Sequence, residues 1–202
     1  MEFSLSELTG RERDKLMHSV VVPRPIALIT TRSAGGVNAA PYSFFNVLSG
    51  DPPIVAVGIS ETLLQGGGPK DTAVNILRSR EFVVNTVTEA MIDPMRITAV
   101  DMAFGVDELA AAGLRTTESV AVAPPRLLDS PASLECRLRQ TIRVTPHRYI
   151  FLADVVHVHV DDSFVLDPDR LYLATSEFGH IARMHGNGWY SRTTDLFQAP
   201  RL

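Results

Sequence analysis

Two short stretches of the chain combine residue types that can handle a charged or a flat ligand. In Gly66-Gly-Gly-Pro-Lys70-Asp71-Thr72 a glycine loop leads to a lysine at a helix start. Backbone N–H groups, the positive end of the helix and an ammonium then converge on one point, which suits a phosphate. The spacing is not that of a P-loop, because Pro69 and Asp71 occupy the flanking places. The same residues also read as a surface loop in which Asp71 or Thr72 caps the helix. In Asn38-Ala-Ala-Pro-Tyr-Ser-Phe-Phe-Asn46, small residues, a proline, a hydroxyl and three aromatics share nine positions. Small residues let a flat ring approach the backbone, and Ser43 and Asn46 can bond its polar edge. The plainer alternative is a strand end carrying core aromatics.

The histidines offer less. His157 and His159 are two apart on a strand, so they share a face and could hold a metal. The alternative turns Val156, Val158 and Val160 to the core and both histidines to water. His147 follows Thr145-Pro146 and precedes Tyr149-Ile-Phe-Leu, at a strand start where a loop can face a ligand. The chain has no G-x-S-x-G elbow, and no G-x-G-x-x-G follows any strand. NADH or NADPH, if used, is therefore held by some means other than a Rossmann turn.

These residues need elements to position them. Thr9-Gly-Arg-Glu12 has capping-box spacing and predicts a short helix over about 11–18. Ile26-Ala-Leu-Ile-Thr-Thr31 is a strand closed by a glycine turn, with residues 37–45 as its hairpin partner. Asp51-Pro-Pro53 is a stop before a buried strand at 54–59. Gln65 to Pro69 reads as a flexible loop, and a helix opens at Lys70-Asp-Thr. A strand at 82–87 precedes a helical stretch over 89–100, in which Pro94 marks a first turn or a break. Residues 107–113 read as a short helix with a glycine stop. Leu134, Cys136 and Leu138 alternate with Glu135, Arg137 and Arg139, which predicts a half-buried strand. Residues 149–160 carry the longest strand signal, and Leu171 to Thr175 a last short one. Strands in hairpins with helices between them predict an antiparallel barrel rather than a doubly wound sheet.

Length and charge bound the rest. At 202 residues the chain suits one large domain. Nineteen Lys+Arg against 23 Asp+Glu give a formal charge of −4, which argues against a nucleic-acid partner. Cys136 is the sole cysteine, so no intrachain disulfide forms and a reducing compartment fits best. The N-terminal residues lack the basic head and apolar core of a signal peptide, and no apolar run approaches a membrane span. A soluble, cytoplasmic protein is expected.

Five segments in order carry a resemblance. They are Val22-Pro-Arg-Pro-Ile-Ala-Leu-Ile-Thr-Thr31, residues 38–46, Asp51-Pro-Pro-Ile-Val55, Lys70-Asp-Thr-x-x-Asn75 and Glu81-Phe-Val-Val-Asn85. Together with Ser133-Leu-Glu-Cys136, residues 147–156 and Gly188-Trp-Tyr190, they resemble the flavin reductase-like family with the FMN-binding split barrel. The resemblance implies a mainly β, antiparallel Greek-key split barrel with inserted helices, one domain over 1–202. It also implies a homodimer with one FMN per subunit near the interface. By the same resemblance, Ala40, Pro41, Tyr42, Ser43, Phe44 and Asn46 lie along the isoalloxazine and ribityl chain. Ser60, Lys70, Asp71 and Thr72 surround the phosphate, His147 lies near nicotinamide and flavin, and Tyr190 belongs to a segment approaching the flavin. Relatives that feed monooxygenases carry a hydroxyl-rich run where this chain has Ala40-Pro-Tyr-Ser43. The implied activity is hydride transfer from NADH or NADPH to flavin N5, with no catalytic side chain required. The rival is a non-enzymatic FMN electron carrier reduced by a partner protein.

Overall fold

The computed structural model describes residues 1–62, 67–102, 106–186 and 188–200. Gln65 and Gly66 of the glycine loop lie outside the described residues. After helix α1 (Gly10–Val20) come strands β1 (Arg24–Pro25), β2 (Ala27–Ser33), β3 (Gly36–Tyr42), β4 (Phe45–Gly50) and β5 (Pro53–Ile59). Helix α2 (Asp71–Ser79), β6 (Glu81–Thr86), α3 (Ile92–Thr98) and α4 (Glu108–Ala112) follow. The remainder is β7 (Thr116–Thr117), β8 (Arg126–Leu127), β9 (Ala132–Thr145), β10 (Arg148–Val160), β11 (Val165–Asp167), β12 (Tyr172–Leu173), β13 (Ile181–Arg183) and β14 (Tyr190–Arg192).

Seven strands form one antiparallel sheet in the order β3-β2-β6-β9-β10-β5-β4, a non-sequential, Greek-key connectivity. A flat sheet of seven strands would hold its edges about 29 Å apart at the usual 4.8 Å spacing. Yet only Ser43 and Phe44 separate the edge strands β3 and β4, a reach of at most about 11 Å. The sheet must therefore curl almost into a barrel, with its split at this corner. Inside the curl, Ile29, Val57, Phe82, Val84, Cys136 and Phe151 pack together, each almost fully buried. Leu28 and Ala39 face the other way, onto Met91, Met95, Leu109 and Leu127 beneath α3 and α4. Strand β2 is thus covered on both faces, which explains its unbroken apolar run.

Helix α1 carries the expected capping box: Thr9 N–H donates to Glu12 Oε2 at 2.8 Å, and Glu12 N–H donates to Thr9 Oγ1 at 3.3 Å. Pro94 sits in the first turn of α3, where its missing N–H costs nothing. Gly113 closes α4 with φ +66, the left-handed cap that glycine adopts freely. Among the described residues, no helix is long and apolar enough to cross a membrane.

Several expectations need correction. The hairpin partner expected over 37–45 ends at Tyr42, and Phe45 starts a new strand on the opposite edge. The longest strand is β9 at 14 residues, not the 149–160 stretch. Glu135 does stand across the strand from Cys136, but it is fully buried. Its carboxylate accepts the N–H groups of Val120, Ala121 and Val122 from a covering loop. The valines of β10 are also misplaced: Val156 and Val158 are exposed, while His159 Nε2 meets Glu135 Oε1 at 2.5 Å. A register shift between Val155 and His157 disturbs the alternation there, leaving His157 exposed as expected and His159 half-buried. No side chain among the described residues caps α2, whose N-cap is Lys70 rather than Asp71 or Thr72. A small sheet, β1-β13-β14, was not foreseen at all.

Candidate functional site

A cleft of about 380 Å³ opens at the split of the barrel. One wall is the corner itself, from Ala40 to Phe44, and the other runs from Gly58 to Ser60 and on to the start of α2. Gly58 N–H donates to the Phe44 carbonyl at 2.7 Å. A Cβ at Gly58 would lie 3.2 Å from Phe44 Cβ, so the close approach of β5 to the corner depends on glycine. Above the rim, the His18 ring stacks on Phe44 with centroids 5.1 Å apart, and Asp14 Oδ2 lies 3.3 Å from His18 Nδ1.

Arg24 locks this corner. Its buried guanidinium donates to the carbonyls of His18 and Val21 at the end of α1 and to Met184 beyond β13, at 2.8–2.9 Å. Its Nε also reaches Ser43 Oγ at 3.4 Å, orienting that hydroxyl at the cleft wall. Tyr42 is nearly buried, and its hydroxyl has no hydrogen-bond partner of normal geometry. Burial pushes the Tyr42 pKa up, the neighbouring Thr72 hydroxyl opposes this in part, and the carboxylates of Asp101, Glu108 and Asp71 add to it, so the phenol stays neutral and able to donate.

The far end of the cleft is charged. Lys70 Nζ pairs with Asp101 Oδ1 at 2.6 Å, and Thr62 Oγ1 donates to Asp101 Oδ2 at 2.8 Å. Asn38 faces Thr72 Oγ1 at 3.0 Å. With its amide oriented to donate to Glu108 Oε1 at 3.2 Å, its oxygen accepts from Thr72 and from Ala39 N–H. Burial raises the pKa of both Glu108 and Asp71, the latter with help from Asp101.

Of the residues expected in a site, Ala40, Pro41, Tyr42, Ser43, Phe44, Ser60, Lys70, Asp71 and Thr72 all line this one cleft. Asn46 does not: it is exposed on β4, and its Oδ1 accepts from Val47 N–H at 2.9 Å. His147 lies half-buried in the β9–β10 turn, outside the cleft lining, with Nδ1 unpartnered. Tyr190 lines a smaller pocket on the other side of residues 41–43. Asp14, His18, Asp101 and Glu108 line the cleft without having been foreseen. Among the described residues, no three His, Cys, Asp or Glu side chains are grouped to hold a metal ion.

Residues 17–182 match the flavin reductase like domain. The chain belongs to that family. Among solved structures, this flavin reductase relative superposes on the 2-nitrobenzoate 2-nitroreductase NbaA of Pseudomonas fluorescens with TM-score 0.89 and 30% identity, covering 100% of this chain and 96% of that one. Nitrilotriacetate monooxygenase component B of Bacillus cereus gives TM-score 0.89 at 25% identity, with 98% of each chain covered. Flavoredoxin of Desulfovibrio vulgaris (Miyazaki F) shares the fold at TM-score 0.75 and 18% identity, over 98% of this chain and 97% of that one. The split barrel expected from the sequence is the fold observed.

Proposed function

We propose that the protein is an FMN-dependent oxidoreductase that takes its electrons from NADH or NADPH. One observation carries this reading: nine residues separated by up to 32 positions in sequence converge on a single cleft whose two ends differ in chemistry. At one end, small and aromatic residues form a wall that a flat ring can approach. At the other, the uncapped start of α2, the Lys70 ammonium and the Ser60 hydroxyl suit a phosphate. The redox chemistry of such a site, hydride transfer from a nicotinamide to flavin N5, is supplied by the cofactor. The protein's share is alignment and exclusion of water. Pro41 and Phe44 would pack against the ring, Ser43 would be held in place by Arg24, and the Tyr42 phenol would offer a hydrogen bond. The neighbouring nitroreductase and monooxygenase component support an oxidoreductase. A buried, unpaired Cys136 supports a reducing compartment such as the cytoplasm.

The Lys70 end supplies the test. Lys70→Ala removes a cation from a phosphate and leaves Asp101 facing it. FMN affinity is expected to fall by about 1–3 kcal/mol, with riboflavin affinity almost unchanged. Calorimetry that finds riboflavin and FMN bound equally by the native protein would overturn the phosphate assignment.

Two copies of the chain are also proposed to associate. Val47 and Leu48 on β4 and Val156 and Val158 toward the end of β10 are exposed, with β5 alone between β4 and β10, and Ile142 and Val144 form a separate exposed pair beside the β9–β10 turn. Such an apolar surface favours a twofold interface. Sedimentation equilibrium is expected to give about twice the chain's 22.1 kDa. A monomer at micromolar concentration would contradict the association.

A further inference from the structure

The second pocket, behind residues 41–43, has a composition the cofactor reading does not use. It holds about 110 Å³ and shares Pro41, Tyr42, Ser43 and Ala99 with the main cleft, so the corner strap and the end of α3 are common to both. Ile26, Met95 and Ala99 supply apolar sides, and Arg96, Arg183 and Tyr190 supply the rest. Its size is below the 300–1,000 Å³ usual for a whole ligand, so it takes one end of a larger molecule.

Its charge is the telling feature. Arg183 on β13 stands directly opposite Arg24 on β1 and opposite Tyr190 on β14. Like charges directly opposed across strands are destabilising. Arg24 spends its donors on three carbonyls and Ser43, none of them a carboxylate. Burial chiefly, and then the charge of Arg183, make Arg24 a weaker base, with Asp14 acting the other way. Arg183 itself lies over the Tyr190 ring, with its guanidinium carbon 4.8 Å from the centroid. Among the described residues it has no hydrogen-bonded or ion-paired carboxylate. Arg96 reaches only Asp93 on its own helix, at 3.5 Å, where both are largely exposed. Two guanidinium groups, Arg96 and Arg183, thus line the pocket, with Arg24 behind Arg183 on the neighbouring strand, and Arg183 has no carboxylate partner among the described residues.

We infer that this pocket binds the oxyanion, a carboxylate or phosphate, of the electron donor or acceptor that works with the cleft. Arg183 is the principal ligand, Arg96 adds a second charge, and the apolar walls take the atoms joined to the anion. The inference rests on the cofactor reading for its place beside a redox centre. The pocket's chemistry does not depend on it. A guanidinium is suited to this because it presents paired donors to two oxygens at once.

The test uses the FMN-loaded protein with benzoate and inorganic phosphate as probes and benzamide as the neutral control. Binding is followed by calorimetry, and flavin content is measured on each sample. The native protein is expected to bind an anion but not benzamide. Arg183→Gln is expected to weaken that binding about tenfold or more, at unchanged FMN content and melting temperature. Arg183→Lys is expected to restore part of it, while Arg192→Gln, whose side chain pairs with Glu89 outside the pocket, should leave it intact. Steady-state kinetics then separate the sources. A raised KM for NADH or NADPH at constant kcat assigns the anion to the donor's phosphates, and a raised KM for a carboxylated acceptor alone assigns it to the acceptor. Equal anion binding by native protein and Arg183→Gln overturns the inference, leaving Arg183 as a brace for Tyr190. Loss of FMN together with the anion also overturns it, by giving Arg183 to the cofactor. A protein that holds no flavin yet binds anions through Arg183 would sink the cofactor reading and keep the pocket.

Discussion

Gly58→Leu is expected to empty the cleft of cofactor while leaving the barrel folded. The substitution acts at the wall facing Phe44, where any added Cβ would lie 3.2 Å from Phe44 Cβ. Alanine asks Phe44 to give by a few tenths of an ångström and should cost part of the affinity. Leucine adds three carbons beyond that point, and they must either displace Phe44 from His18 or project into the cleft. Overpacking of this kind costs about 1–3 kcal/mol of stability, and alternation along β5 keeps the buried neighbours Val57 and Ile59 on the opposite face from residue 58. The ligand has no such margin. FMN affinity is expected to fall by about 100-fold or more, equivalent to about 2.8 kcal/mol. The flavin-to-protein absorbance ratio after desalting reads the loss, and circular dichroism confirms the fold. Stoichiometric FMN in Gly58→Leu would show that flavin sits elsewhere.

Glu135→Ala is expected to be strongly destabilising, at about 1–3 kcal/mol for each buried donor left without a partner. The fully buried carboxylate accepts N–H groups from Val120 at 2.8 Å, Ala121 at 2.6 Å and Val122 at 3.1 Å, and it meets His159. Alanine would strand all of these donors and release the loop that covers β9. Glu135→Gln keeps the shape and should cost less. Acid dependence follows from the same contacts. Burial pushes the Glu135 pKa up, but the N–H groups and His159 outweigh it and hold the pKa below the ordinary value. Its contribution is therefore fully present above the unfolded carboxylate value of about 4.3 and is lost as pH falls through the lower folded value. Urea melts from pH 7 to pH 3 should show native stability dropping on the acid side, with a shallower drop in Glu135→Gln. A variant as stable as the native protein would contradict this role.

What was legible in the sequence was local. The run Ile26 to Thr31, the pair Thr9 and Glu12 and the glycine stop at Gly113 each state their element within a few residues, and the structure agrees. Nothing near Tyr42 announces that the chain changes edges there, because that follows from how seven strands must close. Alternation told which side of β9 Glu135 occupies, but not that a loop 13–15 residues earlier would bury it. Strands β1, β13 and β14 have two or three residues each, too few for any period to show. The site divides the same way. Residues 40–44 and 70–72 announced themselves by type and spacing. Asp14, His18, Asp101 and Glu108 reach the cleft only through tertiary packing, and each taken alone resembles an ordinary surface charge.

The most direct measurement is anaerobic stopped-flow spectroscopy of the FMN-loaded native protein mixed with NADH and, separately, with NADPH. The proposed function predicts that at least one of them bleaches the flavin absorbance near 450 nm within seconds, a wavelength of the cofactor rather than the chain. A flavin that stays oxidised for minutes in millimolar NADH and NADPH, yet is reduced by dithionite, would contradict the reductase and leave an electron carrier reduced by a partner protein.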